Sequence, residues 1–340
     1  MPGPRITAGP ARLIHFLDSG AFIERRLMSE SWFVKKIREG STLLPQDWDR
    51  LVDAHHTRSP GGTFCAFAPA RGPAGLSSYE ALARAVTQAA EHTTEAAEHT
   101  TAPGVVLDVA CGDGAALAAV LHRARGRKMG VGVDRSSAEL AGARRRLGKD
   151  VPLVQGEAGR IPLSTACADA VICHLGLMLF SDLPRALADI GRLLRPGGTF
   201  AAIVEAPPAV PVPDSLECTW GEVLTDFWNS EFGRDLPDLP LDGRFEPAGL
   251  VELCRSVGAF STGATVTDAS VSLSLSPEDL WDRFLSGIYL VSALTERQKR
   301  RLRAMAITSF ARRAAPDHIV SLHIPLNLLV ARRSQPKAID

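Results

Sequence analysis

Apolar residues follow two rhythms along this chain. From about residue 105 to 206, short β-branched runs alternate with stretches of helical spacing. Val105 to Val109, Lys128 to Val133, the run ending Ile172-Cys173-His174, and Thr199 to Glu205 read as buried parallel strands, and Ala115 to Ala124 reads as a helix. Strands alternating with helices predict a parallel sheet with right-handed crossovers. Outside this zone the helical period dominates. Leu13, Ile14, Leu17, Phe22, Ile23, Leu27, Phe33, Val34 and Ile37 mark a helical signal from Ala11 to Gly40. The Gly/Pro-rich passage SPGGTFCAFAPARGPAG then reads as a loop.

Ser77 or Ser78 caps a helix from Tyr79, with Glu80 favoured in its first turn. This helix runs into EHTTEAAEHTT (91–101), a small repeat whose His92 and His99 share a face but whose Thr pairs and Pro103 predict a fraying end. After Glu205 comes a proline-rich insertion with one apolar stripe, Trp220, Val223, Leu224, Phe227 and Trp228. Helix Pro247–Val257, strand Thr262–Leu275, helices 277–291 and 295–314, and strand Ile319–Ala331 complete the pattern. Four segments result: a helical extension (1–75) that acts as a lid or packs on a second subunit, a ligand-binding core (76–206), a cap insertion (207–245), and a C-terminal part (246–340).

Composition narrows the function classes. Lys and Arg number 38 and Asp and Glu 38, so no global field attracts nucleic acid or an anionic membrane. No apolar run approaches the roughly 18 residues of a span, and MPGPRITAGPARL lacks the core of a secretory signal. The six cysteines (65, 111, 167, 173, 218, 254) form no C-x-x-C, which predicts reduced thiols in a cytoplasmic protein and no metal site. His15, His55 and His56 lie in the extension, and the last two precede the Gly/Pro loop, where they can fold over a site.

The informative stretch is VVLDVACGDGAAL (105–117) followed by VGVDRSS (131–137). Gly112 and Gly114 make a turn tight enough for backbone N–H groups to approach a ligand at a helix N-terminus. Asp134 ends the next strand about 20 residues on, where an acid accepts hydrogen bonds from a ribose hydroxyl. A dinucleotide fingerprint needs a third glycine, and that position is Leu117. Asp108, in the strand before the turn, disfavours a pyrophosphate and suits a ligand with positive charge. S-adenosylmethionine, with an ammonium, a sulfonium and no phosphate, fits these electrostatics better than NAD.

Four motifs in order resemble class I S-adenosylmethionine-dependent methyltransferases. DVACGDG is similar to their acid-x-G-x-G-x-G loop, with Ala110 in place of the first glycine. VGVDRS resembles their ribose-binding strand end. VQGEAGRIPL (154–163) is similar to the segment whose acid faces the adenine amino group. ADAVICHLGLMLFSDLPRALADIGRLLRPGG (168–198) resembles the type-11 branch, which includes quinone-biosynthesis enzymes. The resemblance covers residues 76–206 closely and 245–333 loosely. It implies an α/β, Rossmann-like, doubly wound and mostly parallel seven-stranded sheet with a C-terminal antiparallel strand. It also implies a cofactor held by Asp108, Ala110, Cys111, Gly112, Gly114, Asp134, Arg135, Glu157, Ala158 and His174.

Methyl transfer from a sulfonium is an in-line displacement, so such an enzyme aligns the acceptor and, for oxygen or carbon acceptors, removes a proton. Both tasks fall at the carboxyl ends of strands. His174 sits there, where many members of the branch carry glutamine; with an ordinary pKa of about 6.5 it is the candidate base. Its other role would be to shape the loop around the cofactor. Met178, Glu205, Trp220, Trp228 and Tyr289, with Phe227 and Trp281, fall in zones that would roof an acceptor, and aromatic roofs suit a planar substrate. The expectation is a small-molecule methyltransferase, its acceptor a phenolic oxygen or ring carbon in specialised metabolism such as antibiotic biosynthesis. Its rivals are a protein or nucleic-acid methyltransferase, an NAD-dependent oxidoreductase and a non-catalytic scaffold. CHLG after the fourth strand replaces the N/D-P-P-Y/W segment of the first rival.

Overall fold

The computed structural model describes residues 31–41, 44–94, 104–126, 128–206, 216–234, 245–261 and 263–335. The expected helical signal before Ser31, and His15, His92, His99 and Pro103, lie outside the described residues or their described side chains. Three helices precede the sheet: α1 (Trp32–Glu39), α2 (Pro45–Arg58) and α3 (Gly62–Phe67). Ser31 caps α1 by accepting the Val34 N–H at 3.2 Å, and Phe33, Val34 and Ile37 are its buried stripe. Asp47 fastens the start of α2, accepting from the Leu44 N–H at 2.9 Å and from Lys36 Nζ at 2.7 Å. α3 lies inside the passage expected as loop, and α2 was not expected either. Next comes α4 (Ser78–Thr94), capped reciprocally: the Glu80 carboxylate accepts from the Ser77 N–H at 2.8 Å while the Glu80 N–H donates to Ser77 Oγ at 3.3 Å.

The core follows as β1 (Gly104–Val109), α5 (Ala115–Ala124), β2 (Lys128–Asp134), α6 (Ser137–Leu147), β3 (Leu153–Gln155), β4 (Ala168–His174), α7 (Leu183–Leu193) and β5 (Leu194–Glu205). The remainder is α8 (Leu216–Phe232), α9 (Pro247–Val257), β6 (Thr265–Asp268), β7 (Val271–Leu275), α10 (Pro277–Arg283), α11 (Tyr289–Ser292), α12 (Glu296–Ala311), β8 (Val320–Ile324) and β9 (Leu326–Arg332). Seven strands form one sheet in the order β3-β2-β1-β4-β5-β9-β6, with β9 antiparallel to both neighbours. This is the doubly wound, Rossmann-like architecture expected from the sequence. Because successive strand residues face opposite sides, each strand feeds two cores. Val106, Ile172 and Ile203 pack with α4 and α5 on one face; Leu107, Val109, Val171 and Val204 pack with α7 and α9 on the other.

The C-terminal expectations need correction. The strand expected over 262–275 is two strands, β6 and β7, and the strand expected over 319–331 is also two, β8 and β9. Pro325 interrupts the second run, since it has no N–H for a ladder. β7 and β8 pair with each other in a separate two-stranded sheet. The helix expected over 277–291 breaks into α10, a 3₁₀ turn (Leu285–Gly287) and the short α11. Trp220 of α8 meets Trp281 and Phe310 with ring centroids 6.4 Å away in each case, so α8, α10 and α12 share one apolar cluster. Among the described residues, no helix is long and apolar enough to cross a membrane.

Strand order reverses beside β1, with β2 on one side and β4 on the other, and ligands of such sheets bind outside the carboxyl ends of the strands at this crevice. There the chain turns through Ala110 (φ 58°), Gly112 (φ 53°) and Gly114 (φ 80°). A Cβ on Gly114 would stand 2.7 Å from Leu147 Cδ1, so the turn packs on α6 only with glycine there. Ala110 keeps the left-handed backbone without being glycine, which costs about 1–2 kcal/mol. Ala110→Gly is therefore expected to raise stability by about 1 kcal/mol and Gly114→Ala to lower it by more than that. Denaturant unfolding of the two variants checks the opposite signs.

Candidate functional site

Two hydrogen bonds from strand β2 hold the glycine turn in place. The Cys111 N–H donates to the Val133 carbonyl at 3.0 Å, and the Gly112 N–H donates to Asp134 Oδ2 at 2.8 Å. Asp134 Oδ1 accepts from the Ser136 N–H at 2.8 Å, so this carboxylate, 8% exposed, ties the turn to the start of α6. Burial raises its pKa above the ordinary value for aspartate. Asp108 is placed differently from the expectation. It is fully buried below the turn, where Oδ2 accepts the Leu117 N–H at 3.2 Å and Oδ1 has no partner among the described residues. Burial and the nearby Asp134 push its pKa well up. Asp108 thus joins β1 to α5 and is not among the residues that line the cleft described below.

A cleft of two adjoining chambers opens above the turn. The first is lined by Val109, Val133, Arg135, Gly156, Glu157, Ala158, Arg160, Phe180, Asp182 and Arg185. The second is lined by Thr63, Phe64, Tyr79, Cys111, Gly112, Asp113, Glu139 and His174. His56, Ala110, Asp134 and Leu179 line both. Among the described residues, the second chamber has three acids, Asp113, Asp134 and Glu139, and no Lys or Arg in its wall. In the first chamber Arg135 is turned outward to Asp49 and Asp53 of α2, and Arg185 Nε donates to the Gly159 carbonyl at 3.2 Å.

The extension closes this cleft. Glu139, only 2% exposed, accepts the Gly61 N–H on both oxygens (3.1 and 3.0 Å), and its Oε1 lies 2.8 Å from His56 Nδ1. His56 Nε2 lies 3.2 Å from the Tyr289 hydroxyl. The Arg146 guanidinium covers the Phe64 ring at 4.0 Å. Beside His56, the His55 ring is 5% exposed and packs on Tyr289 at 4.6 Å, with Nδ1 unpartnered among the described residues. Burial lowers the His55 pKa to about 4.

His174 ends β4 beside the glycine turn, as expected, but in an unexpected state. It is 8% exposed, stacked on Tyr79 at 4.0 Å, and its Nε2 is 2.9 Å from Ser78 Oγ. Desolvation lowers its pKa to about 3, so the titration expected near 6.5 is absent at this residue. The next residue, Leu175, is held at φ 55°, a strained backbone beside the site.

The expected substrate wall is only partly assembled. Trp228 is fully buried against Phe227 and Phe232, and Trp220 packs on Trp281 and Phe310, so both belong to the apolar core and neither lines the two chambers. Leu179 rather than Met178 faces the cleft, since the 3₁₀ turn Leu177–Leu179 directs Met178 between the two cores. Tyr289 reaches His56 as described. Glu205, at the end of β5, has its pKa raised by burial. Sequence reasoning missed Tyr79, Phe64, Leu179 and Glu139. Glu139 follows Ser136 at capping-box spacing, the one signal it left, but its carboxylate serves Gly61 and His56 instead of the cap. Among the described residues, no cluster of three His, Cys, Asp or Glu side chains is arranged to hold a metal ion.

His174 generates a prediction about acid stability. A histidine buried neutral must be charged in the unfolded chain below its ordinary pKa of about 6.5, so the unfolded state binds the extra proton. Stability is then full above pH 6.5 and falls toward the folded value of about 3. His174→Gln is expected to make the slope of stability against pH shallower in that window, by up to about 1.4 kcal/mol per unit. Denaturant unfolding from pH 7 to pH 4 measures the difference between the two chains.

Comparison with known proteins agrees with this geometry. Residues 107–202 match the family model described as "Methyltransferase domain". A malonyl-[acyl-carrier protein] O-methyltransferase of Xylella fastidiosa is 29% identical over 176 residues, 46% of this chain and 58% of that protein. A demethylmenaquinone methyltransferase of Thermus thermophilus is 34% identical over 110 residues, 32% of this chain and 50% of that protein. The demethylmenaquinone methyltransferase of Corynebacterium kroppenstedtii is 26% identical over 192 residues, 56% of this chain and 76% of that protein. The chain thus spans between half and three fifths of the length of the first two of these relatives.

Proposed function

From the match of residues 107–202 to the Methyltransferase domain family, with S-adenosylmethionine as cofactor, we propose that the chain methylates a small planar acceptor. One observation carries the reading: the chamber at the glycine turn is walled by three acids, of which Asp113 pairs with Arg146 from outside the wall, while Asp134 and Glu139 are met by backbone amides and His56 instead of by a Lys or Arg. Such a wall favours a ligand bearing an ammonium and a sulfonium and repels a pyrophosphate. These acids line the chamber itself, whereas Asp108 lies beneath the turn and outside its wall.

In this reading Gly112, Cys111 and Ala110 cradle the methionine part of the cofactor, Asp134 meets the ribose, and Glu157, Ala158 and Arg135 flank the adenine. When bound, S-adenosylmethionine supplies an electrophilic methyl on a good leaving group. The chain's own contribution is alignment and the exclusion of water, which α2 and α3 provide by covering the cleft. Residues 31–75 are thus a lid in function, in preference to a dimerisation arm. His174, neutral and tied to Ser78, shapes the wall beside Tyr79.

The acceptor is a phenolic oxygen or its ring carbon. Support comes from the aromatic lining and from relatives named for ring acceptors, the demethylmenaquinone and 2-phytyl-1,4-naphtoquinone methyltransferases. A cytoplasmic role in specialised metabolism, such as antibiotic biosynthesis, completes the reading. The balanced charge, 38 of each sign, favours a small molecule over nucleic acid.

Calorimetry tests it. S-adenosylhomocysteine is expected to bind at micromolar strength and NAD not measurably; the reverse order overturns the reading. Asp134→Ala is expected to weaken S-adenosylhomocysteine by about 1.5–3 kcal/mol, the range for hydrogen bonds to a charged group. Because Asp134 also holds the Gly112 amide, the same variant is expected to melt at a lower temperature.

A further inference from the structure

Two histidines reach the cleft, and their surroundings suit them for opposite tasks. His174 is enclosed, its Nε2 engaged by Ser78 Oγ. His56 stands where the two chambers meet, with a carboxylate behind one nitrogen and a hydroxyl before the other. We propose that His56 Nε2 is the proton acceptor for the methyl-accepting hydroxyl, with Glu139 and Tyr289 as positioning residues. This assignment rests on the phenolic reading above.

The hydrogen-bond order explains the choice. Glu139 accepts the Gly61 amide on both oxygens, and a donor from His56 Nδ1 at 2.8 Å completes its pairing. That fixes the tautomer with the lone pair on Nε2, which receives the Tyr289 hydroxyl at 3.2 Å. The contact is long for O–H···N, and a substrate hydroxyl can take it over. The groups facing His56 are Glu139 from α6, Tyr289 from α11, Asp134 from β2 and, on its own helix, His55 at 5.3 Å. Tyr289 is held as the neutral phenol by burial, with Glu205, Glu139 and Asp134 adding to the effect, so it places a hydroxyl and does not itself take the proton.

The step balances. The acceptor O–H bond breaks, its proton forms an N–H bond at Nε2, and the electron pair stays on oxygen. Oxygen uses that pair to bond the donated methyl, whose former bonding pair remains with the donor sulfur. One positive charge leaves sulfur and one appears on the imidazole, where Glu139 balances it as an acid orients a catalytic histidine elsewhere.

Two probe acceptors separate the roles, phenol and 4-nitrophenol, assayed at pH 8, where the nitrophenol is already ionised and needs no base. In His56→Asn, turnover of phenol is expected to fall by about 10²–10⁴-fold and that of 4-nitrophenol by less than about tenfold. Calorimetric binding of S-adenosylhomocysteine should persist and change far less than phenol turnover, which reports an intact fold and cofactor site. Glu139→Gln, which keeps an oxygen for the Gly61 amide, should show a smaller loss of the same selectivity. Absorbance supplies a readout without turnover: 4-nitrophenol bound to the native chain with S-adenosylhomocysteine should be more ionised than in buffer below pH 7, and in His56→Asn it should not. Equal loss with both phenols, or no change in ionisation, overturns the assignment and leaves the methyltransferase reading standing. A native chain that binds S-adenosylhomocysteine but methylates neither phenol overturns the phenolic reading and this assignment with it.

Discussion

A carboxylate buried to 2% exposure is stable only if its oxygens are paired, and Glu139 finds its partners 78 and 83 residues earlier in the chain. The Gly61 amide and the His56 ring come from the segment that precedes the sheet, while Glu139 sits in the first turn of α6. Removing either partner would leave a charge uncompensated inside the protein, which typically costs several kcal/mol. This one requirement fixes where α2 and α3 lie. It brings Thr63 and Phe64 over the glycine turn, sets His56 at the junction of the two chambers, and through His56 engages Tyr289 from the far end of the sequence. Arg135, pairing with Asp49 and Asp53, and Arg146 over Phe64 reinforce the same closure from the surface. Being more exposed, these pairs contribute less.

The cleft beneath the lid divides its polar groups by depth. Asp108 lies under the turn and serves the backbone of α5; Asp134 lies level with it and serves both the turn and the cleft; Asp113 and Glu139 face the chamber. Positive-φ backbone at Ala110 and Leu175 flanks the same space, so part of the fold's strain is concentrated where a ligand would sit. Of the two imidazoles, His174 gives up basicity to burial and His56 keeps a carboxylate partner.

The strands β1, β2, β4 and β5 and the helix α5 were legible because a parallel sheet covered on both faces writes itself as short apolar runs, and Gly112 and Gly114 mark the turn. The lid was less legible. α2 carries Asp47, Asp49, Asp53, His55 and His56 in place of a clean apolar stripe, since much of its stabilisation comes from polar contacts with α6. α3 was hidden by neighbouring glycines and prolines, which signal a loop whatever lies between them. Trp220 and Trp228 were assigned to a substrate roof on residue type, whereas the helical spacing they share with Val223, Leu224 and Phe227 is that of a buried stripe. His174 was placed correctly at the strand end, but its surroundings come from Ser78 and Tyr79, nearly a hundred residues away, and no local pattern announces them.

The central claim is that Glu139 clasps the lid over the site. Amide hydrogen exchange of the native chain and of Glu139→Ala tests it at the Gly61 N–H, whose acceptor in the closed form is this carboxylate. The account predicts that protection at Gly61, and through the C-terminal turn of α2 and α3, is lost in the variant while the strands β1, β4 and β5 remain protected. Unchanged protection at Gly61 would contradict it, because the lid would then be held by something other than the buried carboxylate.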